Sequence, residues 1–207
     1  AGAATLDRLF AKRNLIFTIL FSAFCMGCLA LMSDFGTALI FFVAFLCIAF
    51  LRTGDLPSIV MITAAAGFAG GIVLRFKPYV LARFAVWRHA WEYAQEEGYQ
   101  QTRTMSAVAS GGLFGAGPEE AWLKYVGAAN TDLVFGVVSE EFGLLLALCA
   151  AAAVILLGIY ALRAAGRSRS SFYAIAACAT AAMLVFQTTL NVLGSVDLLP
   201  LTGVTFP

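Results

Sequence analysis

Residues 141–162 read EFGLLLALCAAAAVILLGIYAL, and after Glu141 the stretch carries no charge. A helix rises about 1.5 Å per residue, so about 20 apolar residues cross the ~30 Å hydrocarbon layer of a bilayer. A helix on a soluble core shows an apolar stripe and a polar face, whereas this one is apolar all round. The stretch predicts a membrane-spanning helix. Working outward, comparable runs occur at Asn14–Met32, Asp34–Leu51, Leu56–Leu74 and Phe172–Leu193, separated by polar or Gly/Pro punctuation. Pro57 falls in the first turn of its run, where a missing N–H does no harm. The fold expected is all-α: a polytopic transmembrane helix bundle of about five spans.

Composition agrees. Hydrophobic residues make up 61% of the 207, charged residues 12%, and mean hydropathy is +0.89; soluble domains hold roughly 45–50% apolar residues. The net charge of +1, from scattered Lys and Arg, lacks the basic stripe of a nucleic-acid binder. Cys25, Cys28, Cys47, Cys149 and Cys178 all lie in apolar runs. Cys25 and Cys28 share one helix face and read as packing, since buried free Cys behaves as a small hydrophobe. The opening AGAATLDRLF and the closing PLTGVTFP read as cut ends of a longer protein.

Arg8, Lys12 and Arg13 precede the first run, Arg52 follows the second, and Arg163, Arg167 and Arg169 follow the fourth. If the spans alternate, all of these fall on one side, which the positive-inside rule makes cytoplasmic. Three transmembrane helices over 1–75 are then followed by a long extracytoplasmic loop with interfacial helices over 76–140. Two further transmembrane helices and an outer loop occupy 141–207.

The outer loop concentrates polarity and aromatic rings. In YVLARFAVWRHAWEYAQEE, residues 79–97, Val80, Phe84, Trp87 and Trp91 recur at helical steps while Arg88, Glu92 and Gln95 share another face. That pattern predicts one helix lying in the membrane interface, with His89 as an interfacial polar residue. SGGLFGAGPEE, residues 110–120, offers glycines for tight turns or close approach to a ligand, without the Lys-Ser/Thr of a nucleotide-binding loop. AANTDLVFGVVSEEFG, residues 128–143, puts acidic groups where the chain is about to re-enter hydrocarbon. Carboxylates there are costly, so they stay in water as helix caps or they do chemistry. Asn130, Thr131 or Asp132 could cap the following helix, and Asp34, with Thr37 nearby, could cap the second span.

Several blocks together resemble the SEDS family (FtsW, RodA, SpoVE) of peptidoglycan polymerases. SDFGTALIFF at 33–42 is similar to a Pro-Asp-Leu/Phe-Gly-Thr-Ala block, with Ser33 in place of Pro. GYQQTRTMSAVASGGLFGAG at 98–117 resembles a Gly-Tyr-Gln plus Ser-Gly-Gly-Leu-Phe-Gly signature, with Arg103 where Gln is common. NTDLVFGVVSEEFG resembles a His-Thr-Asp…Glu-Glu-Leu-Gly run, with Asn130 for His, and FQTTLNVLGSVDLLPLTGVTFP at 186–207 a Gln…Asn…Leu-Leu-Pro-x-Thr-Gly-x-x-x-Pro segment.

The resemblance implies a bacterial cytoplasmic (inner) membrane protein that polymerises lipid II outside the cell, in division or elongation. It further implies an amino-terminal half outside this chain, and lipid II, a class B penicillin-binding protein and membrane lipids as partners. Asp132 aligns with the family's essential Asp, the expected general base for the acceptor sugar's 4-hydroxyl. Gln100, Arg103, Gly111, Gly112, Gly115, Glu141, Gln187 and Asn191 are the expected substrate-binding residues. Glu141, with Gly143, could line a polar cavity or pair with Arg103, or Glu140 and Glu141 could sit on a solvated helix face. Gln187 and Asn191, four apart, point together into the bundle or its outer mouth. The leaving pyrophosphate needs a cation: Arg75, Lys77, Arg83 and Arg103 are available, and a Mg²⁺ or Mn²⁺ ion is an alternative that no ligand spacing compels. A lipid II flippase and a non-catalytic membrane scaffold of the division or elongation complex are the competing readings.

Overall fold

The computed structural model describes residues 16, 19–25, 27–29, 34–54, 56–76 and 78–207, and every α-helix, 3-10 turn and loop among them fits an all-helical chain. Arg8, Lys12, Arg13, Ser33, Lys77 and parts of the run Asn14–Met32 lie outside the described residues; an apolar helix, Ile19–Leu29, falls within that run. The helices are α1 (Phe35–Thr53), α2 (Leu56–Phe76), α3 (Pro78–Val86), α4 (Tyr99–Gly111), α5 (Val134–Phe142), α6 (Leu144–Ala165) and α7 (Ser171–Ser195), with a 3-10 turn at Leu123–Tyr125.

Among the described residues three stretches are long and apolar enough to cross a bilayer: Gly36–Thr53 in α1, Leu144–Ala165 and Ser171–Ser195. α2 is a continuous helix of 21 residues whose apolar part is Ile59–Phe68. α6 and α7 form a hairpin, and α7 also packs along α1. The packing is that of a protein dissolved in an apolar solvent. Ala147, Ala151, Ala179 and Ala181 are buried, whereas Leu156, Tyr160 and Phe172 are 64%, 72% and 74% exposed. Lipid tails are as apolar as leucine, so nothing drives large side chains inward and small residues take the contact. At Gly158 a Cβ would stand 2.7 Å from a Val185 methyl, so only glycine permits that approach of α6 to α7. Gly67, Gly70 and Gly71 on α2 have open space where a Cβ would stand.

The single interfacial helix expected over residues 79–97 is shorter. α3 ends at Val86, and Arg88 takes a left-handed φ of +64°. The His89 N–H then donates to the Val86 carbonyl at 2.8 Å, a three-residue closure that ends the α ladder, and 87–98 proceed as turns. These turns fold back, because a Cβ on Gly98 would lie 2.6 Å from the Ala90 carbonyl oxygen. Trp87 donates from Nε1 to the Leu198 carbonyl at 3.2 Å, which ties the turns to the loop after α7.

The break before α6 is sharper than the sequence pattern suggests. Gly143 sits at φ +91°, between α5 and α6, and a Cβ there would fall 2.3 Å from the Leu113 carbonyl oxygen. A helix break strands carbonyls on one side and N–H groups on the other. The glycine loop 112–117 satisfies both: Ala116 and Gly117 donate to the carbonyls of Glu140 and Glu141, while Leu144 and Leu145 donate to those of Gly112 and Leu113.

Candidate active site

Asp132 lies between two rigid pieces of structure. Its N–H donates to the Ala128 carbonyl at 2.9 Å, closing a turn, and the next residue, Leu133, is fully buried against Ala107 and Leu123. Its carbonyl accepts from Asn191 Nδ2 at 2.9 Å, and the same amide nitrogen donates to the Val204 carbonyl at 2.7 Å. Asn191 is thus a buried clamp joining α7, the Asp132 turn and the chain's final segment. The capping alternative for this Asp does not hold: Leu133 occupies the N-cap of α5 and no side chain caps it. The Asp132 carboxylate is left for the cleft.

That cleft, about 410 Å³, is lined by Asp132, Arg83 and Phe84 of α3, Asp34 and Leu39 at the start of α1, and Pro200–Gly203. Asp34 caps α1 as expected, its Oδ1 accepting from the Thr37 N–H at 3.0 Å. Gly36 lets the final segment close over α1, since a Cβ there would fall 2.8 Å from the Thr202 carbonyl oxygen. Gly203, at φ +70°, stands beside both charged groups. A Cβ on it would stand 3.2 Å from Arg83 Nη1 and 3.2 Å from Asp132 Oδ2. A guanidinium and a carboxylate therefore flank one point on the cleft wall that carries no side chain. Arg83 is oriented by donating from Nη1 to the Leu201 carbonyl at 3.1 Å. It also lines a narrower slot of about 40 Å³ with Trp87, Glu97, Gln100 and Asp197.

The other expected site residues divide. Gln100 borders the slot and donates to the Gly127 carbonyl at 3.1 Å. Gln187 and Asn191 do point together: Gln187 Nε2 donates to the Thr205 carbonyl at 2.9 Å, so both amides hold the final segment in place. Arg103 lines neither cleft; its guanidinium lies over the rings of Tyr99 and Trp122, 5.1 and 5.8 Å from their centroids. Gly111 and Gly115 serve close packing, since a Cβ would meet the Ser139 and Glu141 carbonyl oxygens at 2.1 and 2.4 Å. Gly112 closes α4 with φ +55°. Glu141 lines neither cleft, and its carbonyl accepts from Gly117. Glu140 is not on a solvated face: it is 1% exposed, and its two carboxylate oxygens accept the Trp122 and Leu123 N–H groups at 3.1 and 2.9 Å. Among the described residues no three His, Cys, Asp or Glu side chains converge. Gly203 joins the site without having been among the expected residues, and the signal for it is its place in the Pro-x-Thr-Gly block at 200–203.

A family model described as cell cycle protein, FtsW/RodA/SpoVE, matches residues 5–207. A probable peptidoglycan glycosyltransferase FtsW of Dichelobacter nodosus (strain VCS1703A) is 31% identical over 190 residues, 87% of this chain and 48% of the relative. A peptidoglycan glycosyltransferase RodA of Mycobacterium leprae (strain TN) is 32% identical over 177 residues, 84% of this chain and 37% of the relative. The chain spans about half, or less, of the length of these curated relatives. A solved structure described as "Structural coordination of polymerization and crosslinking by a peptidoglycan synthase complex" shares the fold, with a TM-score of 0.70 at 22% identity over 92% of this chain and 53% of that one. The chain belongs to the FtsW/RodA/SpoVE family of cell cycle proteins.

Proposed function

We propose that this chain forms the catalytic half of a peptidoglycan glycosyltransferase that polymerises lipid II, with Asp132 as general base. The observation that carries the reading is the Asp132 carboxylate itself, released from capping and presented to an open cleft on a backbone held by Ala128 and Asn191. A sugar hydroxyl is a weak nucleophile, and a carboxylate within hydrogen-bond reach that takes its proton contributes about 10²–10⁴ in rate. The acceptor 4-oxygen bonds to the donor's anomeric carbon, the bond from that carbon to the diphosphate oxygen breaks, and the proton passes to Asp132. Undecaprenyl diphosphate leaves with the electron pair.

Sidedness follows from charge. Arg52 lies in the last turn of α1, whose first turns line the cleft, and Arg163 in the last turn of α6, whose first turn meets the glycine loop. Basic residues stay inside, so the cleft faces outward at the inner membrane of a bacterium. A class B penicillin-binding protein that cross-links the product is the fitting partner. If a divalent cation assists, Asp34 and Asp132 are the cleft carboxylates that would hold it; a Mg²⁺ ion keeps several waters and takes substrate phosphate oxygens as ligands, so two carboxylates suffice. It would supply charge neutralisation to the diphosphate.

In purified full-length protein, Asp132→Asn is expected to lower kcat for glycan synthesis from lipid II by at least ~100-fold. KM is expected to change little, because the amide keeps the shape and loses only the base. Polymerisation within threefold of wild type would overturn the reading, and transbilayer movement of labelled lipid II that ignores Asp132 would favour a transporter.

A further inference from the structure

We infer that Arg83 is the diphosphate-binding cation of this site, and the assignment rests on the polymerase reading above. A leaving diphosphate needs a positive partner aimed at the charge that develops on it. Sequence offers Arg75, Lys77, Arg83 and Arg103 on equal terms; Lys77 lies outside the described residues, and geometry separates the other three. Arg103 is stacked on Tyr99 and Trp122, and Arg75 ends α2 and lines neither cleft. Of the other cations in this segment, Arg88 lies over the Trp87 ring at 5.9 Å and Lys124 donates to the Pro118 carbonyl. Only Arg83 among the described cations lines the cleft that Asp132 lines.

The position is specific. Arg83 stands on the boundary between the large cleft and the narrow slot, and the Leu201 carbonyl fixes one edge of its guanidinium. Arginine carries five N–H donors in a planar fork that fits phosphate oxygens two at a time. Gly203 keeps the space beside both Nη atoms and Asp132 Oδ2 clear of any side chain. With the diphosphate against Arg83, the anomeric carbon would sit in the cleft in front of Gly203 and the acceptor hydroxyl against Asp132. Base and cation thus address the two oxygens that exchange on one carbon. The competing role for Arg83 is to hold Asp132 by charge alone, which would alter turnover and leave diphosphate affinity untouched.

The test uses full-length protein in lipid nanodiscs and measures direct binding of undecaprenyl diphosphate and of undecaprenol, which lacks phosphate. Arg83→Gln is expected to weaken undecaprenyl diphosphate by at least ~10-fold, the loss of one charge-assisted contact, and undecaprenol by less than twofold. Arg83→Met is read in the same way where the Gln variant does not fold. Arg88→Gln, which removes a cation of the same segment outside the cleft, is expected to change neither. Equal loss of both lipids, or a diphosphate affinity within twofold of wild type, would overturn the assignment. If Arg83 governs diphosphate affinity but the wild-type protein makes no glycan from lipid II, the anion site stands and the polymerase reading falls.

Discussion

At Gly203 the backbone conformation and the missing side chain matter separately. A left-handed φ of +70° costs a non-glycine residue about 1–2 kcal/mol. The space beside it is shared by Arg83 and Asp132, each at 3.2 Å from where a Cβ would stand. Gly203→Ala in the full-length protein is therefore expected to lower kcat by at least tenfold while costing roughly 1–2 kcal/mol in thermal or denaturant stability. Gly54→Ala is the control: φ there is +63°, nothing lies within 4 Å, and the residue closes the opposite end of α1. It is expected to show the same stability loss with activity near wild type. Equal activity in the two variants would show that the space at Gly203 is not used. The Asp132 position was legible in sequence because a short motif carried it. Arg83 was not, since a cation is singled out only by what the folded chain brings opposite it.

Among the elements, the pairing of α5 with the turn at Trp122 and Leu123 governs how firmly Asp132 is placed. Glu140, on the helix that follows Asp132, accepts the Trp122 and Leu123 N–H groups inside the protein, and Leu123 packs on Leu133 beside Asp132. Removing the carboxylate strands the buried Leu123 donor, at about 1–3 kcal/mol, and the part-buried Trp122 donor at less. Glu140→Ala is expected to destabilise the protein by at least ~2 kcal/mol, read as a lower midpoint in thermal denaturation. Activity should fall with the folded fraction, whereas Glu140→Gln, which keeps one acceptor, should recover part of both. A wild-type midpoint in the alanine variant would remove Glu140 from the scaffold. Sequence periodicity could not have told Glu140 from Glu141, because both stand at the edge of an apolar run and only the approach of the 122–123 turn separates them. The same limit explains the stop at Val86. No glycine or proline marks it, and the left-handed Arg88 is held by contacts such as Trp87 to Leu198 that are 111 positions apart. Three of the five expected spans, α1, α6 and α7, were legible by contrast, since a bilayer reads only length and polarity.

For the molecule as a whole, the arrangement of charge about the spans bears on the compartment proposed for the cleft. α1 runs from Asp34 at the cleft to Arg52, α6 from Gly143 beside the glycine loop to Arg163, and α7 returns from Ser171 to the segment that closes over Asp132. α1 and α6 thus carry Arg52 and Arg163 in their last turns, and under the positive-inside rule the proposed orientation puts those ends in the cytoplasm and the cleft outside. A cysteine-free background of the full-length protein makes this measurable, since Cys25, Cys28, Cys47, Cys149 and Cys178 are free thiols that form no disulfide. Single cysteines are placed at Glu119, exposed beside the glycine loop, and at Ser168, exposed in the α6–α7 turn. In intact cells a membrane-impermeant maleimide is expected to label Glu119→Cys and to spare Ser168→Cys until the membrane is permeabilised. The reverse pattern would turn the cleft toward the cytoplasm, where no external glycan strand could be extended, and the polymerase reading would fail with it.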